Sequence, residues 1–360
     1  MQIGIIGLAN VGKSTLFNAL TQADVPALNY PFCTIEPNVG VVMIPDQRFM
    51  DVVDLVKPEK ATGAVIKFVD IAGLVRGASR GEGLGNKFLS HIREVDAVIH
   101  VIRAFADPNV SAVEGSVDPL RDLEIVETEL ILADLQTLEN RIERVTRMLK
   151  TGERKYAEEL ELLKETSQHL NNGRVDLIDV ERLPNDLRLL SVKPVLFVIN
   201  VDEEQLGEPD QLEQQLAPLK EKASARNSEV LLVCADLEAD LADLSPDEAE
   251  EYFAEYGLEA SGLTRIIEAG RQLLNLVTFY TIKGAETRAW LVPRGTPAPQ
   301  AAGKIHSDME RGFIKAEVIE ADRLLEFGSF AKAKEQGAVR LEGKDYQVQD
   351  GDVILFHFNV

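Results

Sequence analysis

The chain has 360 residues, 45% of them hydrophobic and 27% charged, and carries a formal net charge of −22. That length and apolar content suit a globular protein of two or three domains, and no apolar run approaches the length of a membrane span. Two cysteines, Cys33 and Cys234, are too few for a disulfide framework, so a reducing, cytoplasmic setting without a signal peptide is expected. The charge alone does not exclude nucleic acid. Residues 201–260 hold 18 Asp/Glu against three Lys/Arg, a solvated acidic face, while Arg76, Arg80, Lys87, Arg93 and Arg103 could form a local basic one.

Taken in chain order, Gln2-Ile3-Gly4-Ile5-Ile6 reads as a buried strand. It leads into Gly7-Leu8-Ala9-Asn10-Val11-Gly12-Lys13-Ser14-Thr15, the phosphate-binding pattern Gly-x4-Gly-Lys-Ser, followed by helix-forming residues to Leu20. Strand, loop and helix in that order are the setting the motif requires. Its glycines let the backbone N–H groups of residues 10–15 face a polyphosphate at a helix N-terminus. Lys13 is expected to reach the β- and γ-phosphates and Ser14 to ligate Mg2+. Asn10 is a candidate to hold a monovalent cation such as K+.

Between the loop and the next core strand lies Tyr30-Pro31-Phe32-Cys33-Thr34-Ile35-Glu36-Pro37-Asn38, where Thr34 is the expected further Mg2+ ligand. Strand Val65–Val69 then ends in Asp70-Ile71-Ala72-Gly73. Asp-x-x-Gly in that place supplies a carboxylate to the metal and a glycine N–H, that of Gly73, to sense the γ-phosphate. The glycine-rich stretch that follows reads as a switch that reorders when that phosphate leaves. Leu74 stands where a water-orienting glutamine is found in Ras-type sites, so the general base is unassigned; Arg76, Arg80 and Asn10 are candidates to supply or hold a positive charge.

Ala97–Ile102 reads as another core strand, with His100 a core histidine. The five histidines show no metal-ligand spacing. Apolar residues at Ile131, Leu135, Leu138, Ile142, Val145 and Leu149 form a heptad seam, and Tyr156, Leu160, Leu163 and Leu170 a second one. Two helices joined by the turn Lys150-Thr151-Gly152-Glu153 would make an antiparallel coiled-coil hairpin inserted at 119–190.

Strand Val195–Ile199 ends in Asn200-Val201-Asp202-Glu203, where guanine-specific proteins carry Asn-Lys-x-Asp. Val201 cannot lay a lysine stem along the base. Glu203 carries its carboxylate an extra methylene away, beyond the tolerance of about 0.5 Å for a positioned site. Asn200 is expected to pair with the N6/N7 edge of adenine, as asparagine does elsewhere. ATP is therefore expected in preference to GTP, with Asp202 the rival carboxylate. After Val230–Val233, the short β-type runs Thr278–Ile282, Ala289–Val292, Ile314–Val318 and Val353–Phe358 mark a separate small α+β domain from residue 276.

These motifs, with Gly81-Glu82-Gly83-Leu84-Gly85-Asn86-Lys87-Phe88-Leu89 and the segment Gly303–Ile314, resemble the YchF family of Obg-like ATPases over the whole chain. The resemblance implies an α/β P-loop nucleotide hydrolase domain (1–118 and 191–275), an inserted helical coiled coil (119–190) and a C-terminal β-grasp TGS domain (276–360). It further implies hydrolysis of ATP over GTP, Mg2+ held by Ser14, Thr34 and Asp70, and nucleotide contacts from Asn10 to Thr15 and from Asn200, Val201 and Glu203. Ribosome binding is implied too, with RNA a partner through the coiled coil and the TGS domain, and a slow, partner-stimulated monomer is expected. Some relatives carry a histidine in the loop after the third core strand; Asn109-Val110-Ser111-Ala112-Val113-Glu114 has none, so no catalytic histidine is assigned. A ribosome-associated adaptor with incidental ATP turnover and a conventional GTPase are the alternatives.

Overall fold

The computed structural model describes residues 1–22, 38–73, 84–149, 153–241, 244, 248, 252 and 260–359. Thr34, Cys33, Leu74, Arg76 and Arg80 lie outside the described residues, as does most of the proposed switch segment. The described residues fall into two compact units, one within Met1–Ala23, Pro37–Gly40 and Lys67–Ala269, the other within Val41–Ile66 and Gly270–Val360.

The first unit is built on a sheet that runs in the order β2 (Val39–Met43), β4 (Val65–Asp70), β1 (Gln2–Ile6), β5 (Ala97–Arg103), β6 (Val195–Asn200) and β7 (Val230–Val233). β1 pairs in parallel with β4 and β5, β5 with β6, and β6 with β7. Every residue of β5 and β6 is buried. Parallel strands with both faces covered must be apolar throughout, which is why these segments read as continuous runs and not as alternating ones. The strand order reverses between β1 and β5, and the loops at the carboxyl ends of the strands there form the crevice in which such sheets bind ligands.

Helix α1 (Lys13–Gln22) leaves the phosphate loop directly. Helix α4 (Pro119–Met148) is capped by the Asp118 side chain, which accepts from the Arg121 N–H, with Pro119 in the first turn where its missing N–H costs nothing. It pairs with α5 (Arg154–Asn171). The two heptad seams meet as a cluster around Leu138, Val145, Leu160, Leu163 and Leu170, with Ile131, Leu135, Ile142, Leu149 and Tyr156 at its edge. Arg141 joins the helices by an ion pair to Glu159 at 2.7 Å and reaches Asp186 of the returning chain at 2.8 Å. The chain returns to β6 past Asp134, a fully buried carboxylate that accepts from the N–H groups of Leu190 and Ser191 and from the Ser191 hydroxyl. Burial pushes its pKa up while those three donors oppose the shift.

The second unit has a sheet in the order β11 (Arg340–Glu342), β10 (Phe313–Glu320), β12 (Asp352–Phe358), β8 (Leu276–Lys283), β9 (Glu286–Pro293) and β3 (Lys60–Thr62). One face packs on helix Ala298–Ile305 through Phe279, Phe313, Ile354 and Phe356. The other packs on α2 (Gln47–Val56) and helix Ala321–Phe327 through Phe49, Val52, Tyr280 and Leu324.

Residues 41–66 therefore belong to the second unit, whereas the sequence reading places them with the nucleotide-binding segment. Tyr280 donates to Asp46 at 2.6 Å, Arg48 pairs with Asp350 at 2.8 Å, and β3 lies parallel to β9. Three residues, Lys-Ala-Thr, give no readable alternation, which hid β3.

The hairpin core yields a direct test. Leu163 is fully buried between α4 and α5, so Leu163→Ala is expected to cost about 2–5 kcal/mol of stability. Urea denaturation followed by helical circular dichroism measures it.

Candidate nucleotide site

The phosphate loop takes its shape from two positions that only glycine fills. Gly7 has φ +149°, and a Cβ there would lie 2.4 Å from the Val101 carbonyl oxygen of β5. Gly12 has φ +92°, and its Cβ would meet the Asn200 amide nitrogen at 2.2 Å. Both are backbone conformations and approaches that a side chain forbids. Asn10, at φ +61°, also stands in the left-handed region, where asparagine is tolerated.

Lys13 is only 7% exposed, and its ammonium donates to the Leu8 carbonyl at 2.5 Å. Burial lowers its pKa to about 8, with the nearby Asp70 carboxylate pulling the other way. Gly73 closes on the same place: a Cβ there would lie 3.1 Å from the Lys13 Nζ and 3.2 Å from the backbone of Ala9. The residue proposed to sense the γ-phosphate thus stands beside the lysine proposed to bind it.

Ser14 Oγ donates to Asp70 Oδ2 at 3.0 Å. The other oxygen, Asp70 Oδ1, is buried with no hydrogen-bond partner among the described residues. A hydroxyl beside a carboxylate with an unspent buried oxygen is a hard oxygen donor set of the kind that Mg2+ takes, so these two residues fit the ion. No cluster of three or more His, Cys, Asp or Glu side chains that could hold a metal occurs among the described residues. His100 packs against Phe197 inside the sheet, and burial drives its pKa down to about 3, as expected of a neutral core histidine.

The base-reading motif also has a structural duty. Asn200 is 5% exposed; its Oδ1 accepts from the Ala235 N–H at 3.0 Å, and its Nδ2 donates to the Val11 carbonyl at 3.1 Å. One lone pair of Oδ1 and one hydrogen of Nδ2 remain beyond these two bonds. The side chain clasps the phosphate loop to the loop after β7. Asp202, the rival carboxylate, also lines the cavity described next, and its Oδ1 caps α6 (Glu203–Gly207) by accepting from the Gln205 N–H, while Gln205 returns a bond to the Asp202 N–H.

Beside these loops opens a cavity of about 400 Å³ lined by Phe105, Asp107, Pro108, Val201, Glu203 and Asp236, among others. Val201 and Glu203 were expected here. Phe105 and Pro108 were not, although an aromatic residue two steps past the loop end of a core strand is a readable signal in an open α/β sheet. Cys234 also lines the cavity and is buried, which pushes its thiol up to about 11 and makes it inert. Arg103 is likewise buried, so it adds nothing to a basic surface patch.

A phosphate loop at the first strand, an Asp-x-x-Gly turn beside its lysine, and a cavity over the ends of β5, β6 and β7 define a P-loop nucleoside-triphosphatase fold. Comparison with known proteins agrees. A family model described as "50S ribosome-binding GTPase" matches residues 2–154, and the YchF-GTPase_C model, described as a protein of unknown function, matches residues 276–359. The protein named ribosome-binding ATPase YchF from Bacillus subtilis is 49% identical, and its Escherichia coli O157:H7 counterpart 48%, each over 99% of both chains. The solved structure of the Schizosaccharomyces pombe YchF GTPase matches with a TM-score of 0.85 at 32% identity, covering 99% of this chain and 97% of that one. The chain belongs to the YchF family.

The lowered pKa of Lys13 gives a signed prediction. A polyphosphate favours the ammonium, so binding raises that pKa, and near pH 8 and above it must take up a proton. Triphosphate affinity is expected to fall as pH rises through about 8, with net proton uptake appearing in the same window. Calorimetry in buffers of different ionisation heat reads both, and a pH-independent affinity contradicts the assignment.

Proposed function

We propose that the protein is a Mg2+-dependent ATPase switch, selective for ATP over GTP, that works at the ribosome. The observation that carries the nucleotide choice is the cavity lined by Val201 and Glu203 in place of the lysine and aspartate that read guanine. Val201 leaves an apolar wall where a lysine stem would lie. Asn200 is the proposed partner of the adenine N6/N7 edge, while Glu203 lines the same cavity and Phe105 supplies an aromatic surface for stacking.

In this reading Lys13 neutralises the β- and γ-phosphates, the loop N–H groups of Asn10 to Thr15 hold them, and Gly73 registers the γ-phosphate. Ser14 and Asp70, together with Thr34, would hold Mg2+, which when bound would offset the phosphate charge. Asn10 donates to Ser111, and its place in the loop keeps it the candidate for a K+ site. Leu74 cannot orient water by hydrogen bonding, which supports slow turnover that a partner accelerates. The ribosome as that partner rests on relatives named ribosome-binding ATPases. The helical hairpin, as the coiled coil of 119–190, and the sheet unit of 276–360, as a TGS domain, would offer contacts to ribosomal RNA from a monomeric, cytoplasmic protein. No helix among the described residues is long and apolar enough to cross a membrane.

Equilibrium binding tests the nucleotide choice. ATP is expected to bind at least about tenfold more tightly than GTP, ~1.4 kcal/mol, and the double variant Val201→Lys/Glu203→Asp is expected to shift that ratio toward GTP. Tighter binding of GTP by the native chain would overturn the reading. Steady-state turnover with and without ribosomes tests the switch: acceleration is expected, and none would favour an adaptor in which hydrolysis is incidental.

A further inference from the structure

The loop that forms one wall of the nucleobase cavity, residues 104–110, has no regular secondary structure. Such a loop needs its backbone groups satisfied by something else if it is to hold a defined shape. One side chain serves three of its carbonyls. Arg103, the last residue of β5 and only 4% exposed, spreads its guanidinium over three carbonyls. Nε donates to Phe105 O at 3.1 Å, Nη1 to Val110 O at 3.0 Å and Nη2 to Asp107 O at 3.4 Å. The same guanidinium lies 4.2 Å from the centre of the Phe105 ring. With the cation on one face of that ring, a base can take only the other.

We propose that Arg103 is the positioning residue of the nucleobase pocket, fixing the Phe105 ring and the 105–110 wall so that the base is bound through a preformed surface. Arg103 does not touch nucleotide itself; it acts through Phe105. A planar fork of five donors suits this task, and a lysine does not, because one ammonium cannot serve three divergent carbonyls. The fixed ring avoids ordering a loop at the moment of binding, so the gain appears as affinity for the base and not for the phosphates. The inference rests on the nucleobase reading of the cavity given above.

The test uses the full chain with Mg2+ and two probes, ATP and inorganic tripolyphosphate, which carries the phosphates without a base. Arg103→Met is expected to weaken ATP about tenfold, as for buried groups left unpaired, and to change tripolyphosphate affinity by less than about twofold. Arg103→Lys keeps the charge and guards against a misfolded Met variant; it is expected to lose ATP affinity with the same selectivity. In a Phe105→Ala background the Arg103 substitution is expected to add less than about twofold, because both act through one ring. Unchanged ATP affinity, equal weakening of both probes, or full additivity with Phe105→Ala would each overturn the proposal. If Phe105→Ala itself leaves ATP affinity unchanged, the nucleobase reading of the cavity fails, and not the role of Arg103 alone.

Discussion

The nucleotide site depends on one buried asparagine. Asn200 uses its side chain to join Val11 of the phosphate loop to Ala235 after β7, and its backbone carbonyl accepts from the N–H groups of Ala104 and Phe105. Three loops from three strand ends thus converge on a single residue at the carboxyl end of β6. An amide side chain buried in a low-dielectric interior is costly unless its donor and acceptor are both used, and here both are. The requirement also explains Gly12, because any side chain there would collide with the Asn200 amide. Shape at the phosphates and shape at the base are set by the same contacts.

Much of this was legible in the sequence, for reasons that differ from element to element. β1, β5 and β6 are buried on both faces, so each shows as an unbroken apolar run. The α4–α5 hairpin shows as two heptad seams because its core is a strip along each helix. The phosphate loop and the Asp-x-x-Gly turn are legible because their backbone geometry demands glycine at fixed spacings. What could not be read depends on contacts distant in sequence. β3 and α2 join the second unit through Tyr280, Asp350 and β9, more than 200 residues away, and three residues of strand carry no periodic signal of their own. The clasp that Asn200 makes between two loops was not legible because a motif specifies residue types and not which partners each hydrogen-bonding atom finds. Asp202 illustrates the same point: its part in a helix cap does not show from its being a carboxylate.

The second unit is held by a polar seam as well as by its two apolar faces. Asp46 caps α2 and accepts from Tyr280, Arg48 reaches Asp350, and Asp350 also accepts from the Thr278 N–H. The Tyr280 phenol, buried and bonded to a carboxylate, is held well above its ordinary pKa and stays neutral. This seam draws residues 41–66 to a sheet made by the last quarter of the chain, so the segment after β2 is structurally part of the C-terminal unit even though it is encoded beside the phosphate loop.

The helix pair has a mechanical consequence. α4 spans Pro119–Met148, and 30 residues at about 1.5 Å each make a rod about 45 Å long. Its base is fixed to the nucleotide-binding unit by Glu127 paired with Arg226 at 2.7 Å and Lys222 at 2.9 Å, and by the bonds of Asp134 to Leu190 and Ser191. Its first turn is reached from the wall of the base cavity through the short segment 111–118. Beyond Asp134 about 14 residues, a free arm of about 21 Å, work as a lever: a tilt of about 5° carries the tip about 2 Å. A displacement too small to see at the nucleotide would then be large enough, at the far end, to make or break a contact with another molecule.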